Sequence, residues 1–228
     1  MNLPLNTEAD IADPLAQARF NMVEQQIRPW HVSDPRILDL LAEVRREDFV
    51  PAEHAAQAFM DLEIPLPGGQ CMLAPKVEAR FLQDLQIQPH ERVLEIGAGS
   101  GHMAALLSRL AASVVSVDIR PELVRMAQAN LRKAGIANVQ VLQADGAVGA
   151  ISGGPFDVIV VSGSVARVPQ NLLDQLKDGG RLEAVVGDEP MMRATVVRRT
   201  GSSFVVSEPW DIVVPRLEHF PEPSHFSF

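Results

Sequence analysis

Arg92-Val93-Leu94-Glu95-Ile96-Gly97-Ala98-Gly99-Ser100-Gly101 is the stretch from which the rest of the chain is read. Val93, Leu94 and Ile96 suit a buried strand, and the following His102-Met103-Ala104-Ala105-Leu106-Leu107 suits a helix. The three glycines therefore fall in the turn between them, where a backbone without side chains approaches a ligand closely and points N–H groups at it. A second apolar run, Val114-Val115-Ser116-Val117, ends in Asp118, and a third, Val139-Gln140-Val141-Leu142-Gln143-Ala144, ends in Asp145-Gly146. Three such strands bring three polar corners to the carboxyl edge of a parallel sheet, the edge at which open α/β sheets bind ligands.

The remaining segments fit around this centre. Residues 1–13 are polar, acidic and aperiodic and read as a loose lead-in. From Pro14, residues Ala16, Phe20, Val23 and Ile27 draw one apolar stripe that predicts a helix stopped by Pro29. Ser33 is the expected cap of a second helix, with Asp34 and Pro35 in its first turn and Ile37, Leu41 and Val44 facing inward; Phe49-Val50-Pro51 closes the pair. Residues 61–75 hold three prolines and adjacent glycines, which excludes a helix and a central strand. Long loops of this kind are often functional. Val77, Phe81 and Leu85 predict a helix leading into the glycine motif.

Beyond that motif, residues 121–133 predict a helix, and residues 156–161 a fourth buried strand with Ser162-Gly163-Ser164 at its end. Leu172, Leu173 and Leu176 mark a further helix stopped by Gly179-Gly180. After it, residues 182–186, 194–198, 204–207 and 212–214 alternate as strands joined only by turns, so the last part of the sheet is expected to be antiparallel.

Size and composition bound the function. The 228 residues suffice for one α/β domain with an N-terminal extension, and 46% hydrophobic with 21% charged residues is ordinary for a globular chain. With 20 Lys and Arg against 29 acids, the net charge of −9 argues against nonspecific nucleic-acid binding. The single cysteine, Cys71, excludes an internal disulfide. With no leader-like or bilayer-length apolar run, this predicts a cytoplasmic protein without membrane association. The six histidines show no metal-ligand spacing, so no metal is expected. Trp30 and Trp210 are assigned to packing.

Two ligands fit the strand-turn-helix pattern: a dinucleotide or S-adenosylmethionine. A dinucleotide turn carries its third glycine one place beyond Gly101, where this chain has His102. Glu95, a carboxylate inside a buried strand, needs a cationic or hydrogen-bonding partner, and a methionine amino group would provide one. Asp118 stands where a nucleotide-binding unit keeps the carboxylate for the ribose hydroxyls. Asp145 suits an acceptor for the adenine amino group.

Between about Arg19 and Glu218 the chain resembles the protein-L-isoaspartate O-methyltransferase family. The resemblance is carried by Met22-Val23-Glu24-Gln25-Gln26-Ile27, Phe49-Val50-Pro51, Gly69-Gln70 with Ala74-Pro75, the glycine motif itself, Asp157-Val158-Ile159-Val160, Leu176-Lys177-Asp178-Gly179-Gly180-Arg181-Leu182 and Val213-Val214-Pro215. The glycine motif is common to many methyltransferases; the N-terminal stretch and the Gly-Gln loop are far more specific. The resemblance implies a doubly wound, Rossmann-like methyltransferase sheet, mostly parallel with an antiparallel C-terminal part, and an N-terminal helical extension. The implied division is residues 1–75 for extension and substrate loop, 76–218 for the cofactor-binding domain and 219–228 for a tail. It also implies S-adenosylmethionine as cofactor, with Glu95, Gly97, Gly99 and Gly101 on the methionine part, Asp118 on the ribose, and Asp145 with Gly146 beside the adenine. The methyl acceptor would be the carboxylate of an isoaspartyl residue in a damaged protein or peptide, the first step of its repair.

The substrate loop departs from the family pattern, which usually reads Gly-Gln-Thr-x-Ser-x-Pro with an active-site Ser. Here Gln70, Cys71, Leu73 and Pro75 line up with it, so Cys71 takes the Thr position and Leu73 the Ser position. Leu73 has no hydrogen-bonding group, which leaves the catalytic residue unassigned. Alternatives therefore stay open: a family member with a different acceptor, a catalytically silent cofactor-binding module, and a nicotinamide-type oxidoreductase, which His102 and Glu95 disfavour. Cys71 is read as a packing residue, because no partner motif for an activated thiol accompanies it.

Overall fold

The computed structural model describes residues 13–222; the predicted lead-in before Asp13 and the end of the predicted tail lie outside them. The chain divides into two compact units, one through Gln86 and one from Ile87 onward. The helix over residues 75–85, which the sequence reading placed at the head of the second region, groups with the first.

The first unit begins with α1 (Pro14–Met22), capped by Asp13, whose side chain accepts from Leu15 N–H. The stripe through Val23 and Ile27 does continue inward, and both are buried, but the backbone does not stay α-helical. Val23–Ile27 widens into a π turn, with Arg28 N–H reaching back to the Val23 carbonyl, and a 3-10 turn (Arg28–Trp30) ends it. Pro29 accounts for the correction: its ring crowds the carbonyl four residues back, and the turn before it opens.

The second helix, α2 (Pro35–Glu43), is capped by Asp34 rather than Ser33. Asp34 Oδ1 accepts from Arg36 N–H at 2.9 Å, while Ser33 N–H donates instead to Gln83 Oε1 at 2.6 Å. Residues 61–75 hold a small antiparallel hairpin, β1 (Ile64–Leu66) with β2 (Gln70–Met72), whose corner is a 3-10 turn with Gly68 and Gly69 at positive φ. Pro75 then starts α3 (Pro75–Leu85), with Val77, Phe81 and Leu85 buried.

The second unit is one seven-stranded sheet in the order β5-β4-β3-β6-β7-β8-β9. Its strands are β3 (Arg92–Ile96), β4 (Ser113–Asp118), β5 (Val139–Gln143), β6 (Phe156–Val165), β7 (Leu176–Asp188), β8 (Met191–Thr200) and β9 (Ser203–Asp211). The first five pair in parallel, and β8 and β9 add antiparallel. The expected α/β sheet with an antiparallel C-terminal part is thus present. The helices α4 (His102–Leu110) and α5 (Pro121–Lys133) follow β3 and β4. The core joins Leu94, Phe156, Ile159, Val161, Leu182 and Val197.

Two expectations fail in this unit. The helix ending at Gly179 is only α6 (Gln170–Leu173); Leu176 already pairs with Phe156, so sheet registry overrides the leucine spacing. Residues 212–214 are not a strand. Pro215 has no N–H to donate to a ladder, and the chain instead leaves β9 to bridge from Arg216 to Ser164 at the end of β6.

Candidate active site

The strand order places the ends of β5, β4, β3 and β6 side by side, with Ile96 opposite Val117 and Asp118 opposite Gln143. After β3 the chain turns sharply. The N–H groups of Gly97 and Ala98 both donate to the Val117 carbonyl, at 2.8 and 3.0 Å, and Gly101 N–H donates to the Ala98 carbonyl. Gly97, Gly99 and Gly101 have φ of 94°, 51° and 87°, a region that side chains disfavour. Gly101 also lets α4 approach α5, since a Cβ there would lie 3.1 Å from Ala127 Cα.

Asp118 is buried at the end of β4. Its Oδ2 accepts from Gly99 N–H and its Oδ1 from Arg120 N–H, both at 3.0 Å. Burial pushes its carboxyl above the ordinary value, against the lowering effect of those two donors. Each oxygen keeps a lone pair for a further donor.

Asp145 follows β5; its Oδ1 accepts from Ala147 N–H at 2.9 Å, and its Oδ2 lies 3.0 Å from His219 Nδ1. Gly146 has a packing reason as well, because a Cβ there would overlap Ile96 Cγ2.

Glu95 is fully buried, and the chain supplies hydroxyl partners. Ser116 Oγ donates to its Oε2 at 2.5 Å and Ser162 Oγ to its Oε1 at 3.1 Å. Ser116 is the β4 residue directly opposite Glu95. The sequence signal was there, a serine inside an otherwise all-valine run, but its meaning needed the register. These two hydroxyls anchor the carboxylate inside the sheet.

A segment that the sequence analysis gave no role crosses the same corners. Ser164 N–H donates to the Pro215 carbonyl and Leu217 N–H to the Ser164 carbonyl. The Leu217 side chain fills the space beside two glycines, with Cδ2 3.3 Å from where a Gly97 Cβ would stand and 2.7 Å from that of Gly163. Arg120 donates to Glu218 through Nε at 3.0 Å and Nη2 at 2.6 Å. Phe220 enters the core.

The hairpin residues belong to the first unit. Gln70 opens β2 opposite Leu66, Cys71 pairs with Pro65, and Pro75 begins α3. Burial, reinforced by the charge of Glu63, pushes the Cys71 thiol up to about 11, so it carries almost no thiolate at neutral pH. Leu73 is buried, and its carbonyl accepts from Arg46 Nη2 at 2.7 Å. Arg46, itself buried, also donates to the Ala58 carbonyl through Nε at 3.1 Å and pairs with Glu78 at 2.5 Å. Nothing in the sequence singled out Arg46.

The corners that follow β3, β4 and β5 thus bring Glu95, Asp118 and Asp145 to neighbouring strands of one sheet. Among the described residues no cluster of His, Cys, Asp or Glu could hold a metal ion, and no helix is long and apolar enough to cross a membrane.

Known proteins share this sequence and this fold. The family model for protein-L-isoaspartate(D-aspartate) O-methyltransferase matches residues 17–214. The protein-L-isoaspartate O-methyltransferase of Methanoculleus marisnigri is 43% identical over 176 residues, covering 77% of this chain and 80% of that one. Its counterpart from Roseiflexus castenholzii is 39% identical over 212 residues, covering 90% and 97%. A solved protein-L-isoaspartate O-methyltransferase superposes with a TM-score of 0.76 at 27% identity, covering 87% of this chain and 65% of that protein. A Plasmodium falciparum structure described as a putative member in complex with S-adenosyl-L-homocysteine shares the fold, with a TM-score of 0.75 at 17% identity, covering 88% and 98%. The chain belongs to the protein-L-isoaspartate O-methyltransferase family.

Proposed function

We propose that this chain transfers the methyl group of S-adenosylmethionine to the carboxylate of an isoaspartyl residue in damaged protein, as a soluble cytoplasmic repair enzyme. The observation that carries the cofactor reading is the run of corners at the strand ends: Glu95 held by two hydroxyls, the positive-φ glycine turn and the buried Asp118. S-adenosylmethionine supplies an electrophilic methyl group on a sulfonium. Glu95 and the turn of Gly97, Gly99 and Gly101 hold the methionine portion, Asp118 the ribose hydroxyls, and Asp145 with Gly146 borders the adenine.

The acceptor needs little chemical activation. A carboxylate with a pKa near 4 is ionised at neutral pH and attacks without a general base. The work left to the protein is to hold two reactants in line and to exclude water, which is worth several kcal/mol of barrier. The stretch from Gln70 to Pro75 takes the acceptor, using main-chain N–H groups and Gln70. Leu73 cannot add a hydroxyl, and Cys71, kept as a thiol, is no nucleophile here.

The test is transfer of labelled methyl from S-adenosylmethionine to an isoaspartyl peptide, with the normal aspartyl peptide as control. Transfer to the isoaspartyl peptide alone is expected. Absence of transfer, in a chain that S-adenosylmethionine still stabilises thermally, would overturn the acceptor and leave the cofactor assignment standing. Absence of both would overturn the cofactor assignment.

A further inference from the structure

The segment from Pro215 to Phe220 visits the strand ends in spatial order. Residues 215–217 pair with Ser164 at the end of β6, and Leu217 fills the gap beside Gly97 after β3. Glu218 reaches Arg120 just past β4, and His219 reaches Asp145 just past β5. One short segment therefore reaches the turns that follow β6, β3, β4 and β5. It is pinned at both ends: Arg216 Nη2 bonds the Gly187 carbonyl at 2.8 Å and Asp188 Oδ1 at 2.5 Å, and Phe220 is buried in the core.

We propose that this segment is a strap that braces the cofactor site, with Glu218 and His219 as positioning residues; the proposal rests on the cofactor reading above. Glu218 acts through Arg120. Its two contacts fix the guanidinium, and the Arg120 main-chain N–H is one of the two donors that orient the Asp118 carboxylate. His219 acts on Asp145 directly: with Oδ1 on Ala147 N–H and Oδ2 on the imidazole, the carboxylate is fixed at both oxygens. Leu217 packs beside Gly97 and Gly163. A ligand seated at the three corners is held in a preorganised frame, and its departure requires that the strap ends loosen.

The Glu218–Arg120 ion pair lies near the surface, where screening is effective. Salt should therefore loosen the strap even though S-adenosylhomocysteine has no net charge of its own to screen.

The test measures S-adenosylhomocysteine binding and dissociation for the wild type, Glu218→Gln and Glu218→Asp, at low and high salt. Glu208→Gln removes a comparable exposed partner, of Arg193, and serves as the control. Glu218→Gln is expected to speed dissociation about five- to twenty-fold and to flatten the salt dependence of binding, with Glu218→Asp recovering part of the loss and Glu208→Gln unchanged. A Glu218→Gln affinity within twofold of wild type, or an equal loss in Glu208→Gln, would overturn the strap while leaving the cofactor site intact. No binding by the wild type would overturn the cofactor reading and the strap with it. Faster amide exchange over residues 215–220 in Glu218→Gln, without ligand, is the expected second signature.

Discussion

The Asp118 carboxylate accepts a hydrogen bond from the main-chain N–H of Gly99 at 3.0 Å, which ties the end of β4 to the glycine turn after β3. The acid and the turn are one unit, so losing the acid releases the turn. Asp118→Ala is expected to weaken S-adenosylmethionine binding about 10- to 100-fold, the range for losing charge-assisted hydrogen bonds, as read by titration calorimetry. Unchanged affinity would remove Asp118 from the site.

Gly101→Ala isolates the packing role of the turn. The new Cβ would sit at a φ of 87° and 3.1 Å from Ala127 Cα. A cost of about 2 kcal/mol is expected from strain and crowding together, lowering the thermal midpoint by several degrees even without cofactor. An unchanged midpoint would mean that α4 and α5 separate at little cost.

Leu73→Ser restores the hydroxyl that the family pattern carries. Isoaspartyl kcat/KM is expected to rise at least tenfold, which corresponds to about 1.4 kcal/mol of barrier. Because Leu73 is buried, stability should fall at the same time, by about 2–4 kcal/mol. A destabilised variant with no gain in kcat/KM would show that the hydroxyl is not what limits this chain.

Arg46→Met leaves the Glu78 carboxylate buried without its guanidinium and strips a donor from the Leu73 and Ala58 carbonyls. A loss of about 3–5 kcal/mol is expected in denaturant unfolding. Adding Glu78→Leu should recover part of it, since the cost lies mainly in the stranded charge; no recovery would place the cost in the carbonyls instead.

Acid should unfold the second unit partly through Glu91. Burial alone would raise its carboxyl, but Arg181, bonded through both terminal nitrogens at 2.7 and 2.8 Å, and the Gln88 N–H hold it below the usual range. Asp157 is likewise lowered, since the Lys177 ammonium and Arg92 N–H outweigh its burial. Acids with folded pKa values below their unfolded ones add stability above about pH 4 and lose it as pH falls through the folded values. Glu91→Gln is expected to flatten stability against pH below about 4 and to cost about 3 kcal/mol at neutral pH. A wild-type slope retained in the variant would assign the acid sensitivity elsewhere.

What the sequence made legible was local. β3, its glycine turn, Asp118 and the antiparallel ending follow from apolar runs and turn residues that lie next to one another in the chain. The misread places are those where distant partners decide. Leu176 looks helical by spacing and becomes a strand because Phe156 lies opposite it. Pro29 stops the helix, yet its effect starts earlier, in the π turn. Ser116 and Ser162 gain meaning only from the register around Glu95, and Glu218 only from Arg120, ninety-eight residues away. No periodicity encodes such pairs.

The anchor between Arg46 and residue 73 is made to a main-chain carbonyl, an atom that every amino acid carries. The course of the hairpin after β2 is thereby uncoupled from the chemistry of the side chain at that position. A change of side chain at residue 73 leaves that carbonyl, and the bond it accepts, in place. The scaffold is in this sense modular: the side chain at residue 73 can vary while its main chain stays anchored to Arg46.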